Sequence, residues 1–310
     1  MSIGAVVIGR NEGARLERSL QTLMGQVAQV VYVDSGSTDG SVAMAHGLGA
    51  KVVELDMQQP FTAARARNAG AAALEEGITL VQFLDGDCIL QAGWLEAAET
   101  HLDAHPQIAV VCGRRREECP QASIYNTLID REWDTPVGEA QACGGDALMR
   151  LHALRTVGGY RAEMIAGEEP ELCQRLRRAG WQIWRLDTEM TWHDAQITRF
   201  SQWWRRSLRA GHAFAEGAAL HGAGPDRHWV AETRRALLWG ALLPAMIVLL
   251  ALLMHWAALI LALLYPVQLL RLIRRGGAAW GVFTLLGKVP EALGVVKYHM
   301  RRDGRIIEYR

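Results

Sequence analysis

The sequence predicts an open α/β fold with a Rossmann-like, largely parallel sheet, followed by a strongly apolar helical segment. Four short apolar, β-branched runs alternate with helix-forming segments, at residues 3–8, 30–33, 51–55 and 81–84. That alternation is typical of parallel strands joined by helices that cover both faces of the sheet. The apolar segment, residues 236–270, contains no Asp, Glu, Lys or Arg, and one membrane-spanning helix needs only about 20 apolar residues.

The charge of the chain is balanced overall but unevenly distributed. There are 33 basic and 33 acidic residues, a balance that does not favour a nucleic-acid partner. Residues 271–310 hold nine Lys or Arg against three acids, directly after the apolar segment, which favours contact with a membrane surface. The five cysteines form no C-x-x-C pair, so we expect reduced thiols in a cytosolic domain rather than disulfides or a zinc site.

Polar residues follow the first and second strands at the point where each one ends. The first strand breaks at Gly9-Arg10-Asn11-Glu12, and Asn11 is a candidate N-cap for the helix that follows. The second strand ends at Asp34, before a polar turn and a helix over 41–47. Because the carboxyl ends of parallel strands share one edge of a sheet, we expect these side chains to lie close together, where open α/β folds hold their ligands.

The fourth strand ends in Asp85-Gly86-Asp87. Two carboxylates on a tight turn are hard oxygen ligands, which suits a Mg²⁺ or Mn²⁺ ion that also holds phosphate oxygens. Gly86 is expected to let the backbone turn sharply between them. The alternative is an ordinary strand-ending turn, since Asp and Gly are common turn residues.

Further elements are predicted on either side of this motif. An alanine-rich helix over 63–76 precedes it and carries Arg67. A helix beginning near Glu168-Glu169-Pro170 fits the positive end of the helix dipole and ends at Gly180. His193 stands at a later strand end. Helices over 94–105 and 151–157 and strands over 108–112 and 182–186 complete the pattern. There is no G-x-G-x-x-G after the first strand, which argues against a dinucleotide cofactor. No G-x-x-x-x-G-K-[ST] indicates a P-loop either.

These segments, in this order, resemble the family 2 glycosyltransferases of the membrane-anchored bacterial type, over residues 3–215. The family has the GT-A fold and uses nucleotide-diphosphate sugars. Its T-x-N-E-like turn corresponds to G-R-N-E at 9–12, and its V-D-D-G-S-T-D-G motif to V-D-S-G-S-T-D-G at 33–40. Its A-R-N-x-G helix corresponds to A-R-N-A-G at 66–70, and its D-x-D motif to D-G-D at 85–87. Each match is weak singly, but four in order form a strong signal.

The chain departs from the family pattern at two positions. The family's later signature, E-D-x-D/E-L, is E-E-P-E-L at 168–172, so its catalytic aspartate corresponds to Glu169, whose side chain is one methylene longer. Ser35 stands where many members carry a second aspartate that helps hold the nucleobase.

A Q-x-x-R-W motif of processive synthases is only faintly matched around Arg206. Three arginines of this segment could equally hold a lipid or donor phosphate or lie on a membrane surface: Arg205, Arg206 and Arg209.

The resemblance implies a set of roles. Glu169 would be the base of an inverting transfer that deprotonates the acceptor hydroxyl, and a cation would neutralise the diphosphate leaving group. The donor, a UDP-sugar by family, would be bound by six residues: Arg10, Asn11, Glu12, Asp34, Arg67 and Asp85. The cation, Mg²⁺ or Mn²⁺, would be held by Asp85, Asp87 and His193. The acceptor would be a glycan or a lipid-linked molecule at the membrane, used in cell-surface polysaccharide or glycolipid synthesis.

Each role has a structural alternative. Glu169 could simply stabilise a helix N-terminus, Arg67 could be a solvated helix residue, and a single histidine such as His193 is often structural. A membrane-anchored nucleotide-sugar-binding or scaffold protein without turnover is the rival interpretation of the whole chain. A nucleotidyltransferase would need a glycine-rich basic loop after the first strand, and residues 9–13 are a poor version of one.

The C-terminal third is predicted to meet a membrane. We expect a catalytic domain over 1–225, a linker over 226–235, a transmembrane or re-entrant hairpin over 236–275 that turns near His255, and a basic interfacial amphipathic tail over 276–310. Arginines flank both ends of the apolar segment, which predicts an inner-membrane protein with both ends in the cytoplasm. A buried helical hairpin in a soluble domain is the alternative.

Overall fold

A computed structural model describes residues 2–300; the part of the predicted tail over 301–310 lies outside the described residues. The chain divides into two compact units. The first comprises Met1–Ala122 and Ile129–Gln196, and the second comprises Ser123–Leu128 and Ile197–Arg310. The predicted boundary near residue 225 therefore differs from the division by compactness, which groups residues 197–225 with the C-terminal helices.

The first unit is an α/β unit built mainly on the predicted alternation of strands and helices. Its elements up to Glu117 are β1 (Ile3–Gly9), α1 (Ala14–Gln21), β2 (Gln29–Asp34), α2 (Ser41–Gly47), β3 (Lys51–Glu54), α3 (Ala63–Ala72), β4 (Leu80–Asp85), β5 (Cys88–Leu90), α4 (Trp94–Ala104) and β6 (Ile108–Glu117). There follow α5 (Ile124–Glu132), whose residues up to Leu128 belong to the second unit, and then β7 (Gly138–Glu139), β8 (Ala147–Arg150), α6 (Leu151–Thr156), α7 (Glu168–Arg178) and β9 (Gln182–His193).

The sheet has the strand order β3-β2-β1-β4-β8-β6-β9-β5, with β7 paired to β9. The first four strands in this order pair in parallel, and β1 has β2 on one side and β4 on the other. Their registers place Gly9 beside Asp34 and Ile8 beside Asp85. The predicted strand ends therefore do meet at one edge of the sheet, and the α/β fold class is confirmed.

The second half of the sheet is mixed rather than parallel. β8 runs antiparallel to β4 and β6, and β5 and β7 run antiparallel to β9. These three strands of two to four residues were not predicted, because a run so short carries too little periodicity to be distinguished from a turn. Through these pairings, the end of β6, the start of β8 and the end of β9 lie at the edge that already holds the β4 acids.

One local expectation from the sequence is wrong. Asn11 does not cap α1, because the helix begins at Ala14 with Gly13 at its N-cap position and no side-chain cap. Gly86 lies in a turn between the two acids, as expected, but it is absent from the positive-φ residues among those described. Its importance lies in close approach: a Cβ at this position would lie 3.1 Å from the carbonyl oxygen of Ile8, whose oxygen accepts a 2.8 Å hydrogen bond from the Gly86 N–H.

The second unit consists of helices. They are α8 (Phe200–His221), α9 (Val230–Leu237), α10 (Leu243–Leu253), α11 (Leu264–Gly276), α12 (Ala278–Leu286) and α13 (Lys288–Met300), with a π-helical stretch over Leu238–Leu242 and a 3-10 helix over Trp256–Leu263. Helix α13 packs against α8 at glycines. A Cβ at Gly211 would lie 2.0 Å from the carbonyl oxygen of Glu291, and one at Gly294 would lie 2.0 Å from that of Leu208. Small residues thus allow backbone-to-backbone packing.

Three helical stretches in the described chain are long and apolar enough to cross a membrane: Val230–Leu253, Trp256–Gly276 and Ala278–Met300. The first two are separated at His255, whose backbone is extended and whose side chain accepts a hydrogen bond from the Ala257 N–H. That break coincides with the predicted hairpin turn. The first stretch begins inside the expected linker, and the third covers much of the expected interfacial tail.

Gly70 on α3 tests the packing of the parallel sheet. A Cβ there would lie 2.2 Å from Val6 Cγ1 and 3.0 Å from Val33 Cγ2, so Gly70→Ala should lower the free energy of unfolding by about 1–3 kcal/mol through overpacking. The measurement is thermal or denaturant unfolding of the full chain in neutral detergent.

Gly47→Ala is the matched control, because Gly47 is also helical and a Cβ there would have no neighbour within 4 Å. It should be neutral or stabilising by up to about 1 kcal/mol through helix propensity. Equal effects of the two substitutions would contradict the close packing of α3 on the sheet.

Candidate active site

The side chains of Asp85 and Asp87 leave the carboxyl end of β4 in different directions and enter two connected charge clusters. Asp85 lies among arginines, whereas Asp87 lies beside a histidine. Both clusters stand at the edge where β1, β2 and β4 end, since Ile8 pairs with Asp85 in the sheet. The single glycine between the acids therefore separates two environments within one turn.

Asp85 is held by two arginines and by the aspartate that directly precedes β8. Its Oδ1 accepts a hydrogen bond from Arg67 Nη2 at 2.8 Å, and its Oδ2 accepts one from Arg115 Nη2 at 3.2 Å. The Asp85 N–H donates to Asp146 Oδ1 at 3.0 Å. Asp146 is fully buried and also accepts from the Thr191 hydroxyl. Gly145 lies against this cluster, since a Cβ there would be 2.8 Å from Arg67 Nη2.

Arg67 joins the β4 edge to the start of helix α7. Its guanidinium is 3% exposed and donates both to Asp85 and to Glu168 Oε1, the latter at 2.7 Å. Burial would lower the pKa of Arg67, but the two carboxylates outweigh it and raise the pKa above its ordinary value. Arg67 is therefore a charged, buried bridge rather than a solvated helix residue, which removes the sequence-level alternative for it.

Asp87 and His193 form the second cluster. His193 Nε2 lies 3.2 Å from Asp87 Oδ2, and its Nδ1 lies 3.7 Å from Glu117 Oε2. Burial alone would raise the pKa of Asp87, but His193, Arg115 and Arg15 lower it to about 2. For His193, burial and Arg115 lower the pKa, and the two carboxylates outweigh them and raise it. The ring is thus held between two acids, with Trp133 edge-on at 4.7 Å.

Glu12 adds a third carboxyl group to this cluster. Its pKa is raised to about 7 by burial and then by the negative charge of Asp87, against the opposing effect of Arg15. Burial is the larger cause, and the nearby Asp87 carboxylate adds to it by disfavouring the charged form of Glu12. Asp87, His193 and the Cys88 thiol offer ligand atoms within 4.8 Å of one another. This donor set fits a divalent cation such as Mn²⁺, which accepts both carboxylate and imidazole ligands.

The three remaining residues predicted to bind the nucleotide lie at the ends of β1 and β2. Asp34 is 2% exposed, and its carboxylate accepts bonds from the Tyr32 hydroxyl and the N–H groups of Gly36 and Ser37. Asn11, in the left-handed backbone region at φ 56°, accepts from the Thr38 N–H. Arg10 is partly buried at the end of β1. Asp34 and Asn11 thus shape the 34–38 turn through bonds to its backbone N–H groups.

Glu169 occupies a buried position at the start of α7, next to Glu168. Its Oε1 accepts a 2.6 Å hydrogen bond from the Cys143 N–H and a 3.0 Å bond from the Cys173 thiol. Glu169 is 6% exposed. Because both bonds engage Oε1, Oε2 is the atom left to take a proton. Cys143 and Cys173, with sulfurs 3.6 Å apart, belong to the four buried cysteines, whereas Cys119 is exposed.

Several residues of the site were missed from the sequence. Arg115 lies in β6, Asp146 directly precedes β8, and Glu117 ends β6. Trp133 contacts both His193 and the Arg115 guanidinium, the latter at 4.7 Å from its ring. Gly144-Gly145-Asp146 was a usable signal, since paired glycines before an acid indicate a close backbone approach. The run Arg114-Arg115-Arg116 gave no such signal. Successive side chains of a strand point to opposite faces of the sheet, and the sequence does not show that Arg115 is the one that lies in the cluster.

The sheet, parallel in its first half and mixed in its second, with the D-x-D motif at its carboxyl edge, has the GT-A fold. Residues 5–148 match the model of glycosyl transferase family 2. This match confirms the resemblance to family 2 inferred from the motifs.

Two curated relatives are a glycosyltransferase and a succinoglycan biosynthesis protein. The chain is 29% identical over 238 residues to the pre-mycofactocin glycosyltransferase of Mycobacterium tuberculosis, which covers 73% of the chain and 48% of that protein. It is 26% identical over 200 residues to the succinoglycan biosynthesis protein ExoA of Rhizobium meliloti, covering 59% of the chain and 60% of the relative. The chain thus spans about half the length of the first of these curated relatives.

Solved structures share the fold at low sequence identity. The mannosyltransferase PcManGT of Pyrobaculum calidifontis, in complex with GDP-Man and Mn²⁺, has a TM-score of 0.68 and 19% identity over 97% of this chain and 88% of that one. Residues 1–349 of Staphylococcus aureus TarS have a TM-score of 0.57 and 14% identity over 98% of this chain and 93% of theirs. The likeness extends over nearly the whole chain in both cases.

Arg67→Ala tests the bridge between Asp85 and Glu168. Asp85 and Glu168 would lose their shared partner, so we expect the free energy of unfolding to fall by about 3 kcal/mol. This is the lower end of the range for a broken buried ion pair, because both acids keep some contact with water. Thermal unfolding of the full chain measures it.

Arg18→Ala is the control, because Arg18 forms an ion pair with Glu118 in which the arginine side chain is 46% exposed. Its loss should change the free energy of unfolding by no more than about 1 kcal/mol. Comparable losses in both variants would show that Arg67 is not a buried bridge.

Proposed function

We propose that the chain is an inverting glycosyltransferase that moves a sugar from a nucleotide-diphosphate sugar, expected to be a UDP-sugar, to a membrane-associated, lipid-linked acceptor. The product would enter cell-surface polysaccharide or glycolipid synthesis. The observation that carries the proposal is the pairing of Asp87 with His193 beside Asp85, which is fixed by Arg67 and Arg115. The family 2 domain supports the transfer of sugars as the reaction class.

Similar structures support a nucleotide-bound donor. PcManGT is described in complex with GDP-Man and Mn²⁺, and a TarS structure is described in complex with UDP. In this chain the donor's nucleoside would lie along the ends of β1 and β2. Arg10, Asn11, Glu12 and Asp34 would line it, with Asp34 acting through the shape of the 34–38 turn as well as through its own oxygens. Arg67 would act through Asp85, since its guanidinium is occupied by two carboxylates.

The diphosphate would be placed near Asp85, Asp87 and His193, which would hold Mg²⁺ or Mn²⁺. Such a cation, when bound, supplies Lewis-acid stabilisation of the leaving diphosphate. The chain's own contribution is to keep the ligands in place. Glu117 holds the His193 ring from behind, and Arg115 and Arg67 fix the Asp85 carboxylate, so the ligands need little rearrangement when the donor binds.

Glu169 would take the proton of the acceptor hydroxyl on Oε2. The Cys143 N–H and the Cys173 thiol fix Oε1, which orients the carboxylate and removes the freedom of its long side chain. A carboxylate held in one rotamer compensates for the extra methylene relative to the family's aspartate. The hydroxyl then attacks the anomeric carbon from the side opposite the diphosphate, which inverts the configuration of that carbon.

The apolar helices support a membrane acceptor. We propose that Val230–Leu253 and Trp256–Gly276 span an inner membrane as a hairpin, so that the α/β unit remains in the cytoplasm. Ala278–Met300 carries Lys288, Glu291 and Lys297 along its length, which favours an interfacial position for it over a third crossing. This arrangement keeps the C-terminus cytoplasmic, in agreement with the arginines at both ends of the hairpin.

Donor binding should be visible as a cation-dependent rise in thermal stability of the full chain in detergent. A donor at a hundred times its dissociation constant adds about 2.7 kcal/mol of stability. With UDP-sugars and Mn²⁺ we expect this rise in the wild type and its loss in Asp87→Asn and in His193→Ala. The measurement is a thermal shift with each donor, with and without the cation.

Asp103→Asn, a substitution of an exposed acid on α4, controls for the removal of one negative charge and should keep the shift. An equal donor shift in Asp87→Asn and the wild type would contradict the assignment of Asp87 as a cation ligand.

Turnover separates the enzyme from the rival scaffold interpretation. Glu169→Gln should reduce sugar transfer to a lipid-linked acceptor about 10²- to 10⁴-fold, the usual contribution of a general base. Its donor-induced thermal shift should be unchanged. The measurement is radiolabelled sugar transfer by the full chain in membranes, with a soluble sugar acceptor run beside the lipid-linked one.

Glu76→Gln, at an exposed acid outside the site, should transfer at the wild-type rate. Donor binding without any transfer by the wild type would favour the scaffold interpretation. Equal transfer to the soluble acceptor would contradict the membrane acceptor but not the enzyme.

A further inference from the structure

The end of helix α11 presents a basic pocket that the proposed reaction does not use. It has a volume of 390 Å³ and is lined by Val267, Leu270, Arg271, Arg274 and Arg275. These positions recur at intervals of three and four residues, so they share one face of the helix. The arginines occupy the last two turns, and the two apolar residues lie on the side toward the middle of the helix.

The positive charge of this pocket is not neutralised within the described chain. None of the three arginines forms an ion pair or hydrogen bond with any side chain over residues 2–300. The sequence explains this, because no Asp or Glu occurs between Glu232 and Glu291. Three guanidinium groups at one site repel each other, so the pocket is complementary to an anion.

The apolar part of the lining restricts the kind of anion. Val267 is 64% exposed and Leu270 is 56% exposed, and both continue the apolar surface of the 21-residue stretch Trp256–Gly276. A free phosphate or nucleotide would leave these side chains in water. A phospholipid covers both parts, since its acyl chains meet the apolar residues and its phosphate meets the arginines.

We propose that Arg271, Arg274 and Arg275 form a binding site for the phosphate headgroup of an anionic membrane phospholipid. The proposal rests on the membrane association proposed above. The planar guanidinium groups can bind phosphate oxygens in pairs, which a lysine cannot do. Bound lipid would fix the depth of α11 in the bilayer, because a headgroup can lie only at the membrane surface.

Lipid binding by the full chain in neutral detergent tests the site. Short-chain phosphatidylglycerol is titrated against short-chain phosphatidylcholine and glycerol phosphate, and the thermal midpoint is followed. The wild type should be stabilised by phosphatidylglycerol and much less by the other two. R271Q/R274Q/R275Q should bind phosphatidylglycerol at least about tenfold more weakly, given roughly a fivefold effect for each basic residue near an anionic surface.

Two further variants control for charge and for geometry. R18Q/R155Q/R178Q removes the same number of charges from exposed arginines of the α/β unit and should bind like the wild type. R271K/R274K/R275K keeps the charge and should bind with intermediate affinity, because paired hydrogen bonds are lost. Each variant must first show the wild-type thermal midpoint without lipid, and single substitutions replace any that does not.

The outcomes separate this inference from the proposals on which it rests. Equal phosphatidylglycerol affinity in R271Q/R274Q/R275Q and the wild type would overturn the site. Glycerol phosphate binding as tightly as the lipid would also overturn it, since the ligand would then be a free phosphate. Failure of the wild type to enter bilayers of either lipid would instead contradict the membrane association, which reconstitution into nanodiscs measures separately.

Discussion

The bridge from Arg67 to Asp85 and Glu168 is the interaction on which the site depends. It connects α3, which carries Arg67, with the end of β4 and with the start of α7, about a hundred residues later in the chain. A buried guanidinium with two carboxylates is tolerated because each partner neutralises the other, whereas removal of either would leave a buried charge unpaired. Beside this bridge on α7, Glu169 accepts its hydrogen bond from the Cys143 N–H instead.

The D-x-D motif acquires two functions from its surroundings. Asp85 is satisfied by arginines, so it contributes rigidity more than free ligand capacity. Asp87 lies beside a histidine whose other nitrogen faces a buried glutamate. Glu12 adds a carboxyl group whose pKa is raised by burial first and by the charge of Asp87 second. A divalent cation would stabilise the charged form of these carboxyl groups. The predicted ligand set of Asp85, Asp87 and His193 is thus unequal, with Asp87 and His193 the better placed pair.

The sequence allowed the parallel half of the fold and its edge to be predicted, because apolar runs, turn residues and strand ends are local features. Arg115, Glu117 and Asp146 could not be predicted in the same way. The first two lie where β6 continues beyond the predicted strand over 108–112, and Asp146 directly precedes the four-residue β8, which pairs antiparallel with β4 and β6 across long separations in the chain. The pairing of Arg67 with Glu168 could not be predicted for a different reason. Consecutive helical residues point about 100° apart, so adjacent acids enter different environments, and only the position of Arg67 determines which of them it binds.

The distribution of the thiols gives the molecule a natural position for a spectroscopic probe. Four cysteines are buried, and burial raises the pKa of Cys88 and Cys143, which keeps these thiols protonated and poorly nucleophilic. Cys119 is exposed, and its N–H donates to the carboxylate of Glu117, the group that faces His193. A maleimide fluorophore would therefore attach at one place without prior removal of other cysteines, and it would report on the environment of Glu117, two residues away along the chain, whose carboxylate faces His193.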